Sequence, residues 1–167
     1  MTTLNSPTIK TADQGIIIER IIDAPRELVW KAWTEPKRLM SWWGSKNFTA
    51  PVYEIDFRPG GKYHYCMRSP EYQDFWGTGV FREIVPLERI VFTDSFSDEQ
   101  GNVVPATHYG MGSDIPSELL VTVTFEELEG GRTRLKLRHE GFPPGEDQDM
   151  TQAGWNESFD KLAKSLE

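Results

Sequence analysis

The chain has 167 residues, and its 18 Lys and Arg against 26 Asp and Glu give a formal charge of -8, a balance that disfavours polyphosphate and anionic membrane surfaces as partners. The 38% hydrophobic content is that of an ordinary globular domain, and the lone cysteine, Cys66, excludes an intrachain disulfide and a multi-cysteine zinc site. The longest aliphatic stretch, Ile16 to Ile18, is far below the ~18 residues of a membrane span, so the expectation is a cytoplasmic protein with no membrane insertion and no nucleic-acid partner.

Residues 1–14 are polar and aperiodic, which reads as a flexible tail before one domain over 15–167. Ile16 to Asp23 is β-branched and predicts a strand, ended by Ala24-Pro25, with Pro25 suited to a helix start. Leu28, Val29, Ala32 and Trp33 recur at helical spacing up to the Glu35-Pro36 break. A second short helical segment then carries Leu39, Met40, Trp42 and Trp43. From Val52 the period becomes two. Val52 to Phe57 and Lys62 to Arg68 flank Pro59-Gly60-Gly61, Phe75 to Val85 and Glu88 to Ser97 flank Pro86-Leu87, and Glu118 to Glu127 and Thr133 to Gly141 flank Glu129-Gly130-Gly131. A final helix over about Asp149 to Leu166 shows one apolar stripe of Trp155, Phe159, Leu162 and Leu166. The order predicts an α+β fold in which a curved antiparallel meander is covered by the long helix, with a space between them as the candidate site. The segment Asp98 to Pro116 has no period and reads equally as a lid or as an elongated hairpin connection.

The chemistry-bearing residues are few. None of His64, His108 and His139 has metal-ligand spacing, so no metal and no cofactor is expected. His139 alternates with Leu135 and Leu137, which places it on the inward face of the last strand as a candidate proton donor or ligand anchor. The reading as a satisfied buried histidine is preferred, because no acidic orienting partner is evident. His64 is a weaker candidate on a strand whose two faces are both mixed. Asp94 alternates with Ile90, Phe92 and Phe96. As an inward carboxylate it is a candidate acid or base, but pairing with an inward arginine such as Arg20 or Arg82 is the preferred explanation. Gly77-Thr78-Gly79 reads as a bend or close helix approach rather than a phosphate loop, and Cys66 as an inert apolar residue. In Trp42-Trp43 adjacent rings on a helix diverge by roughly 100°, so that one can fill the core while the other reaches the cavity mouth; the alternative is that both cap the core.

Taken together, Ala24-Pro25 with Val29-Trp30-Lys31-Ala32-Trp33, then Trp42-Trp43-Gly44, Asp56 with Pro59-Gly60-Gly61, Gly79 with Glu83-Ile84-Val85-Pro86, Arg89-Ile90-Val91, and Gly154-Trp155 resemble the Aha-type branch of the START/Bet v 1-like (SRPBCC) superfamily. The resemblance spans about Gln14 to Leu166 and implies a helix-grip fold: a seven-stranded curved antiparallel sheet around the C-terminal helix, two short helices after the first strand, and a deep hydrophobic cavity. It implies a cavity walled by Trp43, Tyr65, Met67, Phe81, Phe92, Phe96, Val121, Val123, His139, Trp155 and Phe159. The branch is named for activators of the heat-shock protein 90 ATPase, in which this domain accompanies a separate N-terminal domain that has no counterpart in this sequence. The expectation is therefore a stress-associated binding protein for a hydrophobic small molecule such as a lipid or polyketide; the alternatives are a polyketide cyclase or hydrolase that uses His139 or a pocket carboxylate, and a stand-alone domain that acts on heat-shock protein 90 itself. Edge strands of such a sheet can pair into a homodimer, and no sequence feature decides whether they do.

Overall fold

In the computed structural model, which describes residues 15–167, Ile16–Ile22 forms strand β1, with Ile16, Ile18 and Ile22 buried and Ile17, Glu19 and Ile21 turned outward at the strand period. The tail expected over residues 1–14 lies outside the described residues. Pro25 caps α1 (Arg26–Thr34) with φ -61°, the value its ring imposes and a helix start requires. Glu35 is extended, as a residue preceding proline must tend to be, and it separates α1 from α2 (Pro36–Trp42).

Six strands follow: β2 (Thr49–Ile55), β3 (Lys62–Arg68), β4 (Asp74–Val85), β5 (Arg89–Ser97), β6 (Leu119–Leu128) and β7 (Arg132–Glu140). They form an antiparallel meander, and β1 returns to pair with β7, giving one seven-stranded sheet in the order β1-β7-β6-β5-β4-β3-β2. The sheet curves around the C-terminal helix α3 (Glu146–Ser165), which is the helix-grip architecture. Two boundaries differ from the periodicity. Strand β2 begins at Thr49 rather than Val52 because a register shift between those residues accommodates Pro51, which has no N–H for the ladder. Helix α3 begins at Glu146 rather than Asp149, since Glu146, Asp147 and Asp149 all favour the positive end of the helix dipole.

Helix α3 packs on α2 and β1 through Phe159 and Leu162, both fully buried and each contributing about 1.5–3 kcal/mol. Its polar side grips the turn 44–48 that follows α2. Lys161 Nζ donates to the carbonyls of Gly44, Ser45 and Phe48 at 3.0, 3.1 and 3.1 Å, and Ser158 Oγ donates to Gly44 at 2.8 Å. Glycine at 154 brings the helix close to this turn, since a Cβ there would stand 2.9 Å from Ser45 Oγ and require that hydroxyl to rotate away. The segment 98–118 is a packed connection: Tyr109 Oη donates to the Ser97 carbonyl at 2.5 Å and accepts from Trp76 N at 3.1 Å, and Gly112 N donates to Asp147 at 2.9 Å. Ala106 and Ile115 of this segment are buried, while Val103 is exposed. No helix among the described residues is long and apolar enough to cross a membrane.

Candidate ligand site

The concave face is lined with rings whose positions follow from strand alternation. Tyr53 on β2 and Tyr63 and Tyr65 on β3 point inward and form a parallel stack, with Tyr53 5.4 Å from Tyr65 and Tyr63 6.1 Å from Tyr65. Their neighbours across the ladder are Gly79 and Gly77, paired with Tyr63 and Tyr65 respectively. The two glycines therefore make room for tyrosine rings lying across β4. This replaces the reading of Gly77-Thr78-Gly79 as a bend or a helix approach: a Cβ at Gly77 would come within 2.7 Å of Tyr65 Cε2, and one at Gly79 within 2.6 Å of Tyr63 Cε2. Burial, together with the Asp94 carboxylate and the neighbouring phenols, holds the hydroxyls of Tyr53, Tyr63 and Tyr65 well above the ordinary phenol pKa, so they stay protonated donors.

Above the stack lies the tryptophan cluster of α1, α2 and α3. Trp42 is fully buried and donates Nε1–H to the Ala32 carbonyl at 2.9 Å, filling the core. Trp43 turns the other way because it lies just past the end of α2 in extended conformation, φ -69° and ψ 130°, and not within the helix as its spacing predicts. It stands 5.2 Å from Tyr53, 5.3 Å from Tyr65 and 5.3 Å from Trp155. Between this cluster and the sheet is a void of about 10 Å³ lined by Trp33, Leu39, Trp43, Tyr53, Ile55, Tyr63, Phe81, Ile90 and Phe92. That is room for about one water. The void sits under α1 and α2, not under α3, because Trp155 and Phe159 of α3 meet Trp33 and Trp43 and close the space there. The roomy hollow implied by the resemblance is thus filled at this place by the chain's own rings. Trp33 Nε1 is buried and has no hydrogen-bond acceptor among the described residues.

Beneath α3 the face turns polar. Asp94 on β5 and His139 on β7 both point inward, separated by β6, where Val121 is paired with His139 and with Phe92. His139 Nε2 lies 3.2 Å from Asp94 Oδ2, so Asp94 meets the histidine and not an arginine; Arg20 pairs with Asp160 at 2.7 Å and Arg82 lies 3.7 Å from Glu118. The expectation that His139 lacks an acidic neighbour is likewise overturned. The carboxylate oxygen lies off the ring N–H direction, and Nε2 makes no hydrogen bond among the described residues. On the other side of the ring Trp155 Nε1 donates to His139 Nδ1 at 3.1 Å.

Of the residues inferred to wall a cavity, Trp43, Phe81 and Phe92 line the void, while Tyr65, His139, Trp155 and Phe159 surround the polar pair or the rings next to it. Val121 and Val123 are buried in the sheet floor, Met67 is half-buried near Gly44, and Phe96 packs on Tyr109 at 5.6 Å. His64 is on the opposite, outward face, stacked on Trp76 at 4.9 Å with Nε2 3.3 Å from the Asp98 carbonyl. Trp33, Leu39, Tyr53, Ile55, Tyr63 and Ile90 were not anticipated as lining, although Tyr63 shares the period of Tyr65 and Ile90 that of Phe92. Cys66 is fully buried, and burial, followed by the Asp74 carboxylate, pushes its thiol up to about 11. Among the described residues no three His, Cys, Asp or Glu side chains cluster so as to hold a metal ion.

The family model described as activator of Hsp90 ATPase homolog 1-like protein matches residues 23–167. No protein of curated function matches the sequence significantly. Among solved structures, a protein of Chromobacterium violaceum is 28% identical with a TM-score of 0.76, over 92% of this chain and 96% of its own. A protein of Arthrobacter aurescens is 26% identical with a TM-score of 0.76, over 95% and 89%. The AHSA1 protein from Silicibacter pomeroyi, 23% identical with a TM-score of 0.73 over 90% and 96%, shares the fold.

Proposed function

We infer that this chain, which belongs to the family of activator of Hsp90 ATPase homolog 1-like proteins, binds a small, largely apolar organic molecule on the concave face of its sheet. The observation that carries the reading is an interior walled by aromatic rings in which two buried donor atoms, Trp33 Nε1 and His139 Nε2, have no hydrogen-bond partner among the described residues. Buried polar groups in folded proteins are satisfied as a rule, and a ligand atom is one way of satisfying these. The walls touch one another, so binding requires rings to part. Opening ~150 Å³, the size of a cavity that accepts benzene, costs about 3.6 kcal/mol at ~24 cal/mol per Å³, which lowers affinity by several hundred-fold relative to an open pocket. Micromolar to millimolar affinities for single-ring compounds follow, with larger ligands regaining more by burying more surface.

A thermal-shift series with p-xylene, naphthalene and indole tests this. A probe at ~100 times its Kd stabilises by about 2.7 kcal/mol and raises Tm by about 5–11 °C. A melting temperature indifferent to every probe up to its solubility limit removes the reading. The adjacency of Asp94 and His139 favours one second reading, acid–base chemistry as in a polyketide cyclase or hydrolase; it needs turnover that His139→Ala abolishes. Stimulation of a heat-shock protein 90 ATPase by the purified chain would assign it to chaperone activation instead.

A further inference from the structure

Resting on the ligand-binding reading, we propose that Asp94 and His139 form a hydroxyl-recognition site, so that the chain prefers a neutral phenol or alcohol over the matching hydrocarbon and over the matching carboxylate. The tautomer of His139 comes first. An indole N–H donates and never accepts, so the Trp155 bond to Nδ1 at 3.1 Å requires a lone pair there, and the neutral ring carries its proton on Nε2. That Nε2–H is buried, has no acceptor along its direction among the described residues, and lies 3.2 Å from a carboxylate oxygen. The concave face thus presents one free donor and one anionic acceptor side by side.

A hydroxyl is the group that answers both. Through one oxygen it accepts from Nε2–H and donates to Asp94. A ketone or ether accepts but brings no proton for the carboxylate, and an ammonium pairs with Asp94 but accepts nothing from the imidazole. A carboxylate meets the Asp94 charge in a water-poor setting, on a chain that already carries -8. The surroundings select an apolar, ring-shaped body for the rest of the molecule: Phe142 is edge-on to His139 at 5.2 Å and Trp155 at 6.1 Å. The side chain of His139 is 3% exposed and that of Asp94 22%, so the pair is approached from the carboxylate side.

Isothermal titration calorimetry at pH 7.5 with p-cresol, p-xylene and 4-methylbenzoate, which differ only in the para group, decides the matter. The expected order is p-cresol tighter than p-xylene by about 30–2,000-fold, as one neutral and one charge-assisted hydrogen bond would give, with 4-methylbenzoate weakest. Asp94→Asn, which keeps the shape and removes the charge, should reduce the p-cresol preference to a few-fold and admit 4-methylbenzoate. His139→Phe should erase the preference while p-xylene still binds; if that variant does not fold, Asp94→Asn alone decides. Equal affinities for p-cresol and p-xylene, or a preference unchanged in Asp94→Asn, overturn the hydroxyl site and leave the binding reading standing. If neither p-xylene nor p-cresol binds, both fall together.

Discussion

Replacing Gly77 by alanine tests whether the tyrosine stack, and not a bend in β4, is the reason for glycine there. Gly77 is not in the left-handed region, so alanine is allowed by the backbone and would stabilise by about 0.4–1 kcal/mol through the unfolded chain if there were room. There is none. The new Cβ would overlap Tyr65 Cζ and Oη and stand 2.7 Å from Cε2, where ordinary contact starts at 3.4 Å. The ring must therefore retreat by roughly 0.7 Å or more, into a space already closed by Tyr53 at 5.4 Å and Trp43 at 5.3 Å. Overpacking of this kind costs about 1–3 kcal/mol, which leaves a net loss of about 1–2 kcal/mol and a fall in Tm of about 2–8 °C. Calorimetric melting of Gly77→Ala, Tyr65→Leu and the double variant measures it. In the double variant the methyl occupies space that the ring has left, so the two losses should fall short of additivity by about 1–2 kcal/mol. An increase in Tm for Gly77→Ala, or additivity within about 0.5 kcal/mol, would refute the packing argument. Gly79→Ala should be the more damaging substitution, because its Cβ overlaps the Thr93 carbonyl, and a backbone group of the neighbouring strand cannot turn aside.

Trp155→Phe keeps a ring against His139 but leaves Nδ1 without its donor; a loss of about 1–2 kcal/mol is expected, with imidazole ¹⁵N shifts showing that the Nε2–H tautomer is no longer fixed. Unchanged shifts would mean that the bond does not set the tautomer. Lys161→Met retains the aliphatic stem and removes three bonds to the turn 44–48, for a loss of about 1–3 kcal/mol and faster amide exchange within that turn; exchange as slow as in the parent would show that the grip is dispensable. Cys66, with its thiol raised to about 11, holds about a hundredfold less thiolate at pH 8 than a thiol at 9.0, so a disulfide reagent should label it in urea and scarcely at all in the native chain. Rapid native labelling would contradict its burial. The Arg68 guanidinium, donating to Asp74 at 2.7 Å, holds that carboxylate below its ordinary 3.8. The Tm difference between parent and Arg68→Met should persist above pH 3.8 and close as pH falls through the lowered value, and a difference independent of pH would assign the effect to packing.

The site was legible in part, and the limit can be placed on two connections. The turn 128–132 is short, so the alternation of β6 and β7 and their register could be counted outward from Gly130-Gly131, which puts His139 opposite Val121. Between β5 and β6 lie residues 98–118, and so long a connection leaves the register free. Asp94 was placed on the right face, but that it lies beside His139 depended on a pairing, Asp94 with Leu119, that no turn dictates. The same limit explains the mistaken arginine partner. The tyrosine stack was half visible, since Tyr63 and Tyr65 share a face by period, whereas the glycines opposite them carry no side chain from which to infer a neighbour.

Local chemistry thus determined the elements and their order: β-branched alternation, Pro25 and Pro36 at the helix starts, paired glycines at the turns, and the apolar stripe of α3 specify each piece through interactions a few residues apart. The motifs shared with the family carried the architecture as well. Only the tertiary structure decided how full the interior is and which polar groups meet inside it. Those depend on the shapes of rings contributed by α1, α2, α3 and five strands at once, and on registers across a long connection, and neither quantity is a sum over local preferences.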